Sequence, residues 1–163
     1  MKIRVASTEH DLEFIQNTWL NPSILPHIND DMTMGEMIRW DKVVAHGLFL
    51  IPIVDDGGRI GFFYLVPQSN TYWEVHVAIL PQYRGKVAIE AGKAVVKWFF
   101  ENTPAKKLVA NVPVDNQKAY ALARRVGFNL EGMNRKSFLR NHKLIDQYFM
   151  GICKEEVICL QKQ

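Results

Sequence analysis

WEVHVAILPQYRGKVAIEAGKAVVKWFF, residues 73–100, changes its period halfway through. In its first part Trp73, Val75, Val77 and Ile79 alternate with Glu74, His76, Ala78 and Leu80, the two-residue period of a strand. Pro81 ends that run. After the basic turn Gln82-Tyr83-Arg84-Gly85-Lys86, the residues Ala88, Ala91, Val95 and Trp98 recur at helical spacing, with Ala94 and Phe99 beside them. Strand, basic turn and helix make a phosphate-site layout. The first amides of a helix have no intrahelical partner and carry the positive end of its dipole, so Arg84, Gly85 and Lys86 are placed for an anion. Ordinary loop chemistry gives the same layout, and the rest of the chain has to choose between them.

The chain has 163 residues, 48% of them hydrophobic, the size of one domain spanning 1–163. It contains no run of 18 apolar residues, and Met1-Lys2-Ile3-Arg4 opens as a strand rather than as a signal segment. A soluble, cytoplasmic protein with no membrane partner is expected. Cys153 and Cys159 fall in a strand-like segment; extended, they would stand about 20 Å apart, too far to bridge. They are read as reduced packing cysteines, and no further ligands at metal-site spacing accompany them. The net charge of +3 is unevenly spread: residues 1–81 hold 5 Lys/Arg against 10 Asp/Glu, residues 82–163 hold 15 against 7. A basic half suits a phosphorylated ligand and an acidic half a cationic one. Without a basic run interleaved with aromatics, nucleic acid is the less favoured partner.

In order, Lys2–Ala6 reads as a strand, and Ser7 or Thr8 caps a helix running to about Trp19, stopped by Asn21-Pro22. Residues 23–31 read as irregular, and a second helix is expected from Thr33 to Ala45. Leu48–Val54 and Arg59–Val66 form a hairpin about Asp55-Asp56-Gly57-Gly58. After the central helix come a strand from Lys107 to Val114, a helix capped by Asp115 or Asn116 and ended by Gly127, and a final antiparallel pair, 128–140 and 144–153. The order is β-α-α-β-β-β-α-β-α-β-β.

Three places in that order resemble the GCN5-related N-acetyltransferase (GNAT) family. Glu74 precedes Pro81 by seven residues, and Pro81 to Lys86 look like the family's strand end and pyrophosphate loop. Asn116, Ala119, Gly127 and Phe128 match its helix beside the CoA arm. Glu131-Gly132, Arg135, Asp146 and Tyr148 look like the C-terminal hairpin of the branch that includes ribosomal-protein N-terminal acetyltransferases; similar loops occur in acetyltransferase-like proteins of tailed phages. The resemblance implies an α/β (α+β) fold, with a mixed, mostly antiparallel central sheet of about seven strands and helices on both faces. The family loop reads Gln/Arg-x-x-Gly-x-Gly/Ala. Counted from Arg84, Val87 and Ile89 replace the small residues; counted from Gln82, Gly85 fits and Val87 still replaces the last.

The resemblance further implies acetyl-CoA as co-substrate, with direct attack by an amine and a backbone amide near Ile79 and Leu80 facing the developing oxyanion. The cofactor-binding set is then Ala78, Ile79, Leu80, Arg84, Gly85, Lys86, Val87, Ala88, Ile89, Asn111 and Asn116. The amine must be neutral to attack, so a base is needed near pH 7. Glu74 matches the family's base position, and His76 is supported by lying two residues along the same strand face. The family's usual tyrosine acid is replaced by Ala123, and Tyr120, one turn earlier, is the substitute. The acceptor is expected to be a primary amine of a small molecule or protein, drawn by Asp30, Asp31 and Glu36. Two other readings stay open: an inactive GNAT-fold binding or assembly protein, such as a phage accessory protein, and acyl transfer to a nucleic-acid base. A homodimer through the C-terminal sheet edge is also open.

Overall fold

The computed structural model describes residues 1–34 and 45–160. Seven strands form one sheet: β1 (Lys2–Val5), β2 (Leu48–Ile53), β3 (Gly61–Pro67), β4 (Tyr72–Ile79), β5 (Lys107–Pro113), β6 (Asn129–Arg140) and β7 (Lys143–Cys153), ordered β1-β2-β3-β4-β5-β7-β6. Every pairing is antiparallel except β4 with β5. That one parallel pair follows from the helical crossover between the two strands.

The helices are α1 (Glu9–Trp19), α2 (Leu25–Ile28), α3 (Asp31–Met34), α4 (Lys86–Asn102), α5 (Gln117–Val126) and α6 (Lys154–Leu160). The Thr8 hydroxyl accepts the Asp11 amide at 3.2 Å and the Asp11 carboxylate reaches back, a capping box that fixes the start of α1. Arg4 from β1 pairs with the same buried carboxylate. α4 buries Ala88, Ala91, Val95, Val96, Phe99 and Phe100 on one face of the sheet. Burial of each phenylalanine is worth about 1.5–3 kcal/mol. On the other face α1 sets Ile15 over Phe49, Phe62 and Tyr64, with Trp19 stacked on Phe62 at 5.5 Å.

Three expectations are revised. α2 lies in the segment read as irregular, where Pro26 occupies a first-turn position that needs no amide hydrogen. Of the helix expected over 33–45, residues 35–44, including Glu36, lie outside the described residues, and before them the short helix α3 already starts at Asp31. Cys159 is not on the strand that holds Cys153: β7 ends at Cys153 and α6 follows, with Glu156 accepting the Cys153 amide at 2.6 Å. That carboxylate captures an amide at the helix entry, which a reading of hydrophobic runs cannot detect.

Candidate active site

β4 pairs with β3 along its length, from Trp73 to Ile79, but with β5 only over Tyr72, Trp73 and Glu74. β5 is meanwhile held to β7 over all of Lys107–Pro113. Each strand thus follows its other neighbour, and beyond Glu74 and Val109 the two diverge around a cleft of about 320 Å³. The Leu80 amide donates to Ile60 O at 3.0 Å, so by alternation Ala78, His76 and Glu74 also address β3; the Val75 amide is taken by the last step of the β4–β5 pair, at Glu74 and Val109, while Val77 and Ile79 turn their amides to the split. Of the expected oxyanion donors Ile79 and Leu80, Leu80 is therefore committed to Ile60, which leaves Ile79, with Val77 beside it; Ala78 of the expected cofactor set faces Phe62 in the β3 ladder. Gly61 makes this approach of β3 to β4 possible: its φ is +148°, and a Cβ there would stand 2.0 Å from Ala78 O.

At the open end of β4, Pro81–Tyr83 make a single 3-10 turn and Gly85 takes φ +86° before α4 begins. Gly85 therefore fills the conformationally demanding place in the loop, so the loop counts from Gln82 and not from Arg84. No side chain caps α4, and its first internal bond is Ile89 N to Gly85 O at 3.2 Å. The amides of Lys86, Val87 and Ala88 precede that ladder, whereas the Ile89 amide is inside it. Among the described residues, its chain neighbours aside, no heavy atom lies within 4 Å of where a Gly85 Cβ would be. Val87 packs against the core, so its bulk turns away from this mouth. An uncapped helix start beneath open space fits a diphosphate. Lys86 is exposed there, but Arg84 turns aside and donates to Ser23 O at 3.1 Å.

One face of the split is polar. Asn111 Nδ2 donates to Glu74 Oε1 at 3.0 Å, Gln68 Nε2 stands 3.5 Å from Glu74 Oε2, and His76 Nε2 lies 4.0 Å from Glu74 Oε1. Asn134 approaches Asn111 Oδ1 at 3.5 Å. The His76 side chain is 44% accessible and lines the cleft, with the Tyr64 ring 5.9 Å away. Desolvation there pushes the imidazole below its ordinary pKa, and the Glu74 carboxylate opposes this in part. The result is a neutral imidazole at pH 7 beside a carboxylate, a pair able to accept a proton.

His27, Ile28 and Asp30 close this face from the segment joining α1 to α3. Besides Arg84, the segment is tied by Arg140 Nη2 to Pro26 O at 2.9 Å and by the His142 amide to Asp31 Oδ2 at 2.7 Å. Arg140 is itself neutralised by Asp115 at 2.6 Å. Burial, then the charges of Arg140 and Arg84, push the His27 imidazole down, so it adds no cation to the mouth. Asp31 is thus a structural tie, and Asp30 is the acid on the cleft wall.

The opposite face is apolar, formed by Val75 and Val77 with Ala110 and Val112 of the strands, closed by α4 and α5. Asn116 Oδ1 accepts the Ala119 amide at 3.1 Å and so caps α5. The Tyr120 ring packs on Tyr148, centroids 4.6 Å apart, while Ala119, Leu122 and Ala123 form the wall of the cleft.

The family model described as acetyltransferase (GNAT) domain matches residues 2–129, most of the chain. The chain belongs to the GNAT acetyltransferase family. It is 28% identical over 110 residues to the spermidine N(1)-acetyltransferase of Escherichia coli strain K12, covering 66% of this chain and 59% of that protein. To an uncharacterized N-acetyltransferase, YnaD, of Bacillus subtilis strain 168 it is 26% identical over 111 residues, covering 66% and 65%. The match therefore spans less than two thirds of the length of either relative. The fold is that of the spermidine N-acetyltransferase from Vibrio cholerae crystallised with CoA and spermine, with a TM-score of 0.80 at 21% identity over 96% of this chain and 97% of that one.

Within this GNAT chain the split brings together Glu74, His76 and Asn111, and the uncapped start of α4, Gly85 to Ala88, follows the C-terminal end of β4 without lining the cavity. It does not bring Tyr120 or the Arg84 guanidinium to the same wall. Sequence reasoning missed Gln68, His27 and Asn134. Gln68 sits in the β3–β4 turn, where its register against Glu74 was available from the hairpin; His27 and Asn134 have no local signal. Among the described residues no helix is long and apolar enough to cross a membrane.

Proposed function

We propose that this protein is an acyl-CoA-dependent N-acyltransferase that moves acetyl from acetyl-CoA to a primary amine of a small cationic acceptor. The observation that carries the reading is the split itself, which has an uncapped helix start just past the end of β4, the amides of Val77 and Ile79 turned toward it beyond the last paired residues, and a carboxylate–imidazole pair on its far face. When bound, acetyl-CoA supplies a thioester activated toward amines. The amides of Lys86, Val87 and Ala88 hold the diphosphate with Lys86, and the Val77 or Ile79 amide faces the oxygen on which charge develops. His76 and Glu74 take the proton that the acceptor ammonium must lose before its nitrogen can attack, Asn111 and Gln68 fixing the carboxylate. Ala123 offers no proton on the cleft wall, so solvent would protonate the departing thiolate.

Asp30 and Glu74 line the acceptor face, beside two histidines held toward the neutral form, a chemistry that suits a cationic amine. The relatives named for spermidine are consistent with a polyamine. A protein N-terminus is the finer alternative, and the C-terminal hairpin motif is what favours it. Thiol release from acetyl-CoA, followed with spermidine, a lysine ester and a peptide N-terminus, tests the reading. Release that depends on an amine and saturates supports it; acetyl-CoA binding without release to any amine would favour the inactive assembly protein.

A further inference from the structure

We infer that the apolar side of the split is an acyl pocket, built for straight-chain acyl groups longer than acetyl. The inference rests on the reading of the split as an acyl-CoA site. The cavity of about 320 Å³ does not stop at the strand edges: it runs on between the helices to Gly92, Val95 and Val96 of α4 and to Ala123 and Val126 of α5. Gly92 and Val126 close it, since a Cβ on Gly92 would stand 2.5 Å from a Val126 methyl. The residues on this floor offer no side-chain donor or acceptor, and helix amides at mid-helix are already bonded within α4 and α5.

That chemistry separates the two parts of an acyl-CoA. The pantetheine arm carries two amides, and a buried amide without a partner is costly. The arm belongs at the strand edge, where Val77 and Ile79 turn their backbone groups to the cleft. The floor beyond can take only hydrocarbon. A chain longer than acetyl would reach these apolar residues, and each methylene that enters should strengthen binding about fourfold, or ~0.8 kcal/mol. Ala119 and Ala123, four apart on α5, keep the passage from edge to floor open, because any larger side chain at either place would project into it. The transfer itself is unchanged by chain length. The acceptor nitrogen bonds the carbonyl carbon, the carbon–sulfur bond breaks with its electron pair going to sulfur, the nitrogen's proton passes to His76 or Glu74, and the thiolate takes a proton from solvent.

The test is a calorimetric series on the intact protein with non-transferable 2-oxoalkyl-CoA thioethers of increasing chain length, beside CoA itself. The expected result is an affinity that climbs about fourfold per carbon over the first several carbons. Ala123→Leu, and separately Ala119→Leu, should flatten that climb, each variant being compared with its own shortest ligand and checked for an intact melting transition. Short analogues that bind while longer ones bind equally or more weakly would overturn the acyl pocket and leave the acyl-CoA reading standing. If neither CoA nor any analogue bound, the acyl-CoA reading would fail and the pocket with it.

Discussion

The two faces of the split sheet differ in how their residues come to be there. On the α4–α5 face, the side chains of β4 are the odd-numbered Val75 and Val77, set there by alternation and covered by a helix of regular apolar spacing. On the opposite face the even-numbered Glu74 and His76 are held by groups that no local pattern connects to them: Asn111 comes from β5, 37 residues on. The segment over them is tied by Arg84, 61 residues from Ser23, and by Arg140, 114 residues from Pro26. One face is made by period and the other by chain crossing, so the first should tolerate conservative change in its strands, and the second should lose function without losing the fold.

The hardest test of that contrast is Glu74→Gln. The amide keeps the shape but cannot take a proton, and turnover should fall by about 10²–10⁴-fold with little change in melting temperature. A variant that instead unfolds would make Glu74 a structural residue. Gly61→Val attacks the β3–β4 approach from behind: with φ +148° and Ala78 O where the Cβ must go, stability should drop by about 3 kcal/mol in denaturant titration. A loss below 1 kcal/mol would mean that the two strands are not so tightly apposed.

Arg84→Ala separates the two ends of the site. Because its guanidinium holds Ser23 O, the acceptor KM should rise about three- to tenfold while acetyl-CoA affinity changes less. The reverse ordering would return Arg84 to the phosphate loop. Asn116→Ala removes the cap of α5, at a cost of about 1 kcal/mol read from the melting midpoint, a drop of roughly 2–4 °C. The smallest effect is on pH. Burial lowers the His76 pKa and Glu74 raises it, so the acid limb of activity should lie below the ordinary histidine value of about 6.5. In Glu74→Gln the limb of any residual activity should move lower still, since the carboxylate that raised it is gone. A limb that moved upward would mean that another group titrates.

The same contrast governs what could be read from the chain. The seven strands and the long helix were legible because hydrophobic period and turn chemistry are local: Asp55-Asp56-Gly57-Gly58 and Asn116…Gly127 mark their elements unaided. Glu74, His76 and the α4 start were legible for the same reason, lying within one strand–turn–helix unit. The destination of Arg84 was not, because a charged turn residue beside a helix start looks the same whether it faces a phosphate or a carbonyl sixty residues away. Nor was the depth of the cavity, which depends on β4 and β5 parting after Glu74, a consequence of how β3 and β7 hold them.

The central claim is that the parted strands and the uncapped start of α4 form an acyl-CoA site, and a thermal-shift titration with acetyl-CoA tests it most directly. Ligand at a hundred times its dissociation constant should add about 2.7 kcal/mol, a saturable rise of roughly 5–10 °C. The rise should shrink when Lys86 is replaced by Glu at the mouth of the site. No shift at millimolar acetyl-CoA would contradict the account, and the split would then have to be explained without a donor.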